Sequence, residues 1–254
     1  MPTRKRIGTA PLPAPEFEGF GPGLFRFFRA LARHNERAWF EAHRSEYEDR
    51  VLTPLRALVD EMDARLGRLA PEFTGGKRSI FRIHRDIRFS ADKRPYKTHA
   101  AAWFYHRDAG REGGLGTAVR ASASLYLQLA PGESFAGGGL WTPERDDLHL
   151  VREAIAERPE AWRRLLDAPA FRAATAGLDR EEGTVLARVP RPYPADHPAA
   201  EWLRFRSFTA TVAFDDAEVL GPAFADRLEG AYRALLPLAR WLNAALGHRS
   251  AERR

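Results

Sequence analysis

The chain predicts an α+β fold in which a mainly antiparallel sheet is covered by N-terminal and C-terminal helices. Three observations carry this expectation. Apolar residues recur at helical spacing up to about Leu69, strand-like alternation takes over after residue 77, and helical spacing returns in the last third. Within the strand block, Phe208, Ala210, Val212 and Phe214 alternate with Ser207, Thr209, Thr211 and Ala213, the pattern of a half-buried strand. Helices, then strands, then helices point to α+β rather than to alternating β and α units.

Taken in order, residues 1–19 contain Pro2, Pro11, Pro13 and Pro15 without periodicity and read as a loose basic tail. Residues 20–250 read as one α+β domain, a size that suits a chain of 254 residues. Pro22 opens a short helix carrying Leu24, Phe27, Phe28 and Leu31. Asn35 is placed as the N-cap of the next, which bears Trp39, Phe40, Tyr47 and Val51. Thr53-Pro54 reads as a further cap with Pro at the first helical position, ahead of Leu55, Leu58, Val59, Met62 and Leu66. Residues 71–77 form a loop. Residues 79–89, 98–106, 122–130 and 206–215 are the expected strands, with the 36–69 helices over one face. The glycine-rich stretch 107–121 reads as a mobile or functional loop, and Gly137-Gly138-Gly139 as a turn. Asp146 or Asp147 caps a helix bearing Val151 and Ile155, followed by helical segments around Trp162 and Phe171. A proline-rich connector at 189–198 precedes a long helix from about Pro222, with a kink expected at Pro237.

Composition narrows the function classes. There is no cysteine, hence no disulfide framework, thiolate metal site or thiol nucleophile. No apolar run approaches the length of a membrane span, and the basic start lacks the apolar core of a signal peptide, so a cytoplasmic protein without membrane association is expected. No phosphate-binding glycine loop, nucleophile elbow or His-Glu-x-x-His helix is present, and no cofactor is identified. The eight histidines show no metal-ligand spacing, and His99 and His106 would face opposite sides of one straight strand, so no metal is expected.

Charge singles out one stretch. Of 40 Lys and Arg only Lys5, Lys77, Lys93 and Lys97 are lysine, and three of these lie in residues 77–97. Eight cations against Asp86 and Asp92 give this stretch a net charge of +6, equal to that of the whole chain. Read as a strand, 79–89 separates Phe81, Ile83, Ile87 and Phe89 from Arg82, His84, Asp86 and Arg88. Arg85 falls on the apolar face and needs a carboxylate, such as Glu41 or Glu46, or the sheet edge. A rigid turn at 90–98 then brings Lys93 and Lys97 beside the arginines, with Tyr96 placed to stack or donate a hydrogen bond. The expected ligand-binding set is Arg82, His84, Arg85, Asp86, Arg88, Asp92, Lys93, Tyr96 and Lys97. The leading reading is a site for a phosphorylated or other anionic small molecule. A second reading is nucleic-acid binding, with Phe89, Tyr96 and Trp103 as stacking platforms. A third is an internal ion-pair network in a partner-binding protein. No reaction is assigned.

Residues Arg85 to Thr98, Arg-Asp-Ile-Arg-Phe-Ser-Ala-Asp-Lys-Arg-Pro-Tyr-Lys-Thr, resemble the signature of the family called domain of unknown function 2461. Asn35, Trp39 and Phe40 resemble its early Asn-x-x-x-Trp-Phe element. Residues Ser134 to Pro143 resemble its glycine turn, and Leu186 to Pro190 with Asp196-His197-Pro198 its late loop. The resemblance spans about residues 20–247. It departs at Pro192, where a glycine is expected, and at Arg204 and Arg206, where lysine is usual. What it implies is an architecture and a set of matched positions, not an activity.

Overall fold

Strand alternation and helical periodicity resolve into ten α-helices and five strands in a computed structural model that describes residues 17–88, 90–109 and 121–249. The N-terminal helices are α1 (Gly23–Arg33), α2 (Arg37–Ala42), α3 (Arg44–Tyr47) and α4 (Thr53–Leu69), with a π-helical turn, Glu48–Leu52, joining α3 to α4. The strands are β1 (Phe73–Thr74), β2 (Ala100–His106), β3 (Ser124–Leu129), β4 (Ser134–Leu140) and β5 (Phe208–Phe214). Between β4 and β5 lie α5 (Arg145–Glu157), α6 (Pro159–Leu166), α7 (Pro169–Ala174) and α8 (Ala200–Leu203). After β5 come α9 (Asp216–Val219) and α10 (Phe224–Ala245).

The sheet is antiparallel throughout and its strands sit in chain order, β1 to β5. Phe208, Ala210 and Phe214 of β5 are buried while Thr209, Thr211 and Ala213 are not, so the alternation reports a sheet with one covered face. The cover is α10, laid across β3 and β4, with α4 beside it against β1. Its apolar stripe, Leu228, Tyr232, Leu235, Leu238 and Leu242, is buried over its whole length. Truncating one such leucine to alanine costs about 2–5 kcal/mol in cores of this kind.

Several local expectations are corrected. The three glycines lie inside β4 rather than in a turn. A Cβ on Gly138 would stand 2.8 Å from Leu235 Cβ, so the missing side chain lets α10 close onto the sheet. Gly139 has φ +130°, and a Cβ there would stand 2.0 Å from the Phe208 carbonyl oxygen, a conformation and an approach that suit glycine. The expected loop 71–77 contributes the short strand β1. Of the expected strand 79–89, residue 89 lies outside the described residues and 79–88 do not form a strand: Lys77–Ser79 is a 3₁₀ turn, and only single bridges, Ile80 to Ala102 and His84 to Tyr96, follow. Thr53-Pro54 starts no fresh helix because the π turn runs straight into α4. Glu144, not Asp146 or Asp147, takes the N-cap position of α5. Of the expected tail, residues 1–16 lie outside the described residues, but Phe17 is buried and packs edge-on against Phe20 at 5.3 Å. The expected loop 107–121 begins as a 3₁₀ turn, Arg107–Ala109, and residues 110–120 lie outside the described ones.

Candidate functional site

The basic stretch leaves the sheet edge as an arm. The Phe81 N–H bonds to the Ala101 carbonyl at 2.9 Å, the last contact with β2. The chain then folds back on itself: the Arg85 N–H reaches the Pro95 carbonyl at 2.9 Å, and the Lys97 N–H reaches the Ile83 carbonyl at 2.8 Å. Asn35 holds this arm to the helices. Its amide Nδ2 donates to the Tyr96 carbonyl at 3.0 Å, and its Oδ1 accepts from the Tyr96 N–H at 2.9 Å. Both backbone groups of a residue outside any strand ladder are thereby satisfied. The Tyr96 ring is buried and stacks on Phe40 at 4.3 Å between centroids. Asn35 is therefore a long-range clamp and not a helix cap; Glu36 takes the N-cap position of α2. The early Asn-x-x-x-Trp-Phe element and the long basic motif are two halves of one contact.

At the tip of the arm the charges consume one another. Asp92 accepts from Arg85 at 2.7 Å, from Arg94 at 2.7 Å and from the Arg94 N–H at 3.0 Å. Asp86 accepts from the Arg88 guanidinium at 2.7 and 3.0 Å and from the Arg88 N–H at 3.2 Å. Arg85 also donates to the Arg94 carbonyl at 3.1 Å, and Lys93 Nζ to the Ile87 carbonyl at 3.1 Å. The Arg88 side chain and N–H bring the Asp86 carboxyl down to about 2. Arg94 and Arg85 hold that of Asp92 far below the usual carboxylate range. Arg85 thus finds its carboxylate in Asp92, seven residues on. The helix acid Glu41 pairs with Arg44 instead, at 2.8 Å.

At the base of the arm the balance differs. Lys77, Arg82 and His84 face Arg44, Tyr47 and Arg56 across a cleft of about 550 Å³. Phe40, Leu52, Ile80, Phe81 and Ile83 supply its apolar wall, and among the described residues no carboxylate lines it. Arg44 is held by Glu41, and Arg56 lies 3.6 Å from Glu48, both acids standing outside the lining. Among the described residues no carboxylate reaches ion-pair distance of Lys77 or Arg82. The excess charge is felt locally. Burial first, and the Arg82 charge second, push the Lys97 ammonium below its ordinary value, while its Nζ rests 5.2 Å from the Phe81 ring centre. Tyr47 is pushed up to about 12, chiefly by burial.

Of the nine residues expected to bind ligand, Arg82 and His84 line this cleft. Lys97 lies behind Phe81, Tyr96 is a core ring, and Arg85, Asp86, Arg88, Asp92 and Lys93 form the tip. Arg44, Tyr47, Arg56 and Lys77 join the cleft without having been in the expected set. Three of them come from the helices, where the π turn between Tyr47 and Thr53 changes the phase at which side chains emerge. Phe89, the proposed stacking platform, lies outside the described residues, and Trp103 is buried beneath the arm's root on the uncovered sheet face.

A second cavity, of about 400 Å³, lies on that uncovered face and shares Phe81 with the first. Trp103, Tyr126, Phe135 and Trp141 line it, Asp179 and Glu181 stand in its wall, and among the described residues no Lys or Arg does. Trp141 is 54% exposed.

Residues 23–241 match the family model described as conserved hypothetical protein (DUF2461), and the chain belongs to that family. No curated protein and no solved structure matches it.

Proposed function

We propose that this member of the conserved hypothetical family binds a phosphorylated or otherwise anionic small molecule in the cleft at the base of the arm. The observation that supports this is a cleft lined by Lys77, Arg82, His84, Arg44 and Arg56 and, among the described residues, by no carboxylate. Arg44 and Arg56 have acids behind them, but Lys77 and Arg82 have none at ion-pair distance among the described residues, and an anion between these like charges relieves their repulsion. Arginine forks match phosphate or carboxylate oxygens in pairs, while Lys77 supplies a mobile point charge. The limited volume of the cleft, and a tip in which Asp86 and Asp92 already pair with three arginines, favour a small ligand over a nucleic-acid strand, which needs a continuous charged track. Among the described residues no helix is long and apolar enough to cross a membrane. A cytoplasmic setting belongs to the same proposal, supported by a sequence with no cysteine to call for an oxidising compartment.

The test is calorimetric titration of the full chain with inorganic phosphate, pyrophosphate, nucleoside monophosphates and sugar phosphates, beside the double variant Lys77→Glu, Arg82→Glu. Saturable binding of one of these anions is expected, weakened about 100-fold or more in the double variant, since each lost charge-assisted contact is worth about 1.5–3 kcal/mol. Binding equally strong in both proteins, or no anion bound by either, refutes the reading.

A further inference from the structure

A second cluster of chemically active side chains lies away from the arm and shares no residue with the cleft. His106 ends β2 on the covered face of the sheet and is 1% exposed. Asp108 follows in the 3₁₀ turn Arg107–Ala109. His248, 9% exposed, comes just after α10, where Gly247 at φ +84° turns the chain back towards the sheet. One ring nitrogen of each histidine and one carboxylate oxygen of Asp108 lie within 4.8 Å of one another, and the two rings are 5.1 Å apart between centroids.

The hydrogen bonds fix how the rings can be used. His106 Nε2 faces the Arg249 carbonyl at 3.1 Å, and His248 Nε2 faces the Ala121 carbonyl at 2.9 Å. A carbonyl oxygen only accepts, so each Nε2 carries the hydrogen and each lone pair resides on Nδ1. His106 Nδ1 lies 3.9 Å from Asp108 Oδ2 and receives one long bond from the Asp108 N–H, at 3.2 Å. Metal-ligating histidines are oriented in this way, with the far N–H donated to a backbone carbonyl. The surrounding field also suits a cation. The negative charges of Asp108 and Glu72 act on His106, and the one bond that Nδ1 accepts, from the Asp108 N–H, must be given up for a metal to bind there. Glu72 is itself buried; its Oε1 is paired with Arg240 at 2.5 Å, and its Oε2 has no hydrogen-bond partner among the described residues.

We propose that His106, Asp108 and His248 bind one divalent transition-metal ion of the zinc class and so tie the end of β2 to the segment after α10. Two imidazoles and one carboxylate are a donor set that zinc accepts at about 2.0–2.2 Å, with its remaining position left to water. The side chain of Asp108 is 55% exposed and can swing inward to close the set. Softer thiolate-seeking ions are disfavoured because the chain has no cysteine. His248 lies beyond the family-matched residues 23–241, so membership of the family does not bring this site with it.

The experiment is titration of the metal-stripped full chain with Zn²⁺ by calorimetry, repeated with Co²⁺ while visible absorption is followed. One ion per chain is expected, with the intense visible band of four-coordinate cobalt and a rise in melting temperature. His248→Gln and Asp108→Asn should each weaken Zn²⁺ binding at least about tenfold and abolish the metal-dependent rise in melting temperature. His149→Gln, at an exposed histidine, should change neither. Circular dichroism of each variant establishes that it is folded, and the choice of Gln and Asn keeps size and hydrogen bonding close to the original. Failure to bind one ion per chain, or unaltered binding in both folded triad variants, overturns the proposal. Anion binding at the cleft should survive in these variants, so the two readings stand or fall separately.

Discussion

The tip and the base of the arm carry the same kind of charge and dispose of it differently. The tip contains two Asp-x-Arg units, Asp86-Ile87-Arg88 and Asp92-Lys93-Arg94. In each the carboxylate accepts both the N–H and the guanidinium of the arginine two residues on. Both acids of the 77–97 stretch are spent there. The base, with Lys77, Arg82 and His84, has no acid at that offset and meets two further arginines from the helices across a cleft. A dense run of cations therefore does not by itself mark a binding site. The spacing of its acids decides which cations are neutralised in place and which are left facing an open volume.

The sharpest way to break this comparison is to release the arm. Asn35→Ala removes both partners of the Tyr96 backbone at once. Leaving two half-buried polar groups unpaired costs about 1–3 kcal/mol each, so a loss of about 2–6 kcal/mol is expected in urea unfolding. Because the clamp positions tip and base together, anion affinity should fall as well. A variant as stable as the parent would show that Asn35 is not what holds the arm.

A direct contrast comes from charge removal at the two ends. Arg82→Gln at the base should weaken anion binding about tenfold or more, whereas Arg88→Gln at the tip should leave it within about twofold, as for surface changes away from a site. Equal losses would mean that the tip also reaches the ligand and that its pairing with Asp86 gives way on binding.

Acid should dissolve the tip before the base. The folded Asp86 carboxyl, at about 2, lies below its unfolded value near 4. Its contribution is therefore fully present above the unfolded value and is lost as pH falls through the folded one. Carboxyl NMR shifts should show Asp86 titrating near pH 2, with exchange protection of the Arg88 amide lost over pH 4 to 2. Titration of Asp86 near pH 4 would mean that the pair with Arg88 does not persist in solution.

How far the sequence could be read follows the same division between local and distant causes. Strands 122–130 and 206–215 were legible because one covered face imposes alternation on residues two apart, while 98–106, buried at nearly every position, shows only as an apolar run. Strand β4 was not, since Gly137, Gly138 and Gly139 have no side chains with which to alternate, and the reason for them, Leu235 of α10, is almost a hundred residues away. Residues 79–89 alternate as a strand does, yet beyond Phe81 the chain has left β2 and no neighbour supplies a ladder. The resemblance placed Asn35 and the basic motif in one family pattern, but nothing within the sequence joins Asn35 to Tyr96, 61 residues on. The two Asp-x-Arg units were on view throughout and would have separated paired from unpaired cations. Arg44, Arg56 and His248 carry no local signal, because their neighbours are brought by the fold.

The smallest expected effect concerns the clustered lysines, which composition alone places together. Lys93 is exposed at the tip, where its Nζ donates to the Ile87 carbonyl. An arginine can make that single bond as well as a lysine can, so Lys93→Arg should change anion affinity by less than about twofold and leave stability within about half a kcal/mol. Lys97 is half-buried, with its ammonium over the Phe81 ring and Arg82 as a like-charged neighbour. A planar guanidinium needs more room than a compact ammonium. Lys97→Arg should therefore displace Phe81, which walls both the cleft and the groove on the open sheet face. The expected loss is about 1 kcal/mol of stability and a severalfold loss of anion affinity through the moved wall. Matched unfolding curves and titrations of the two variants decide it. If Lys93→Arg proves the more damaging, the tip is the working end of the arm, and the division between tip and base has been drawn the wrong way round.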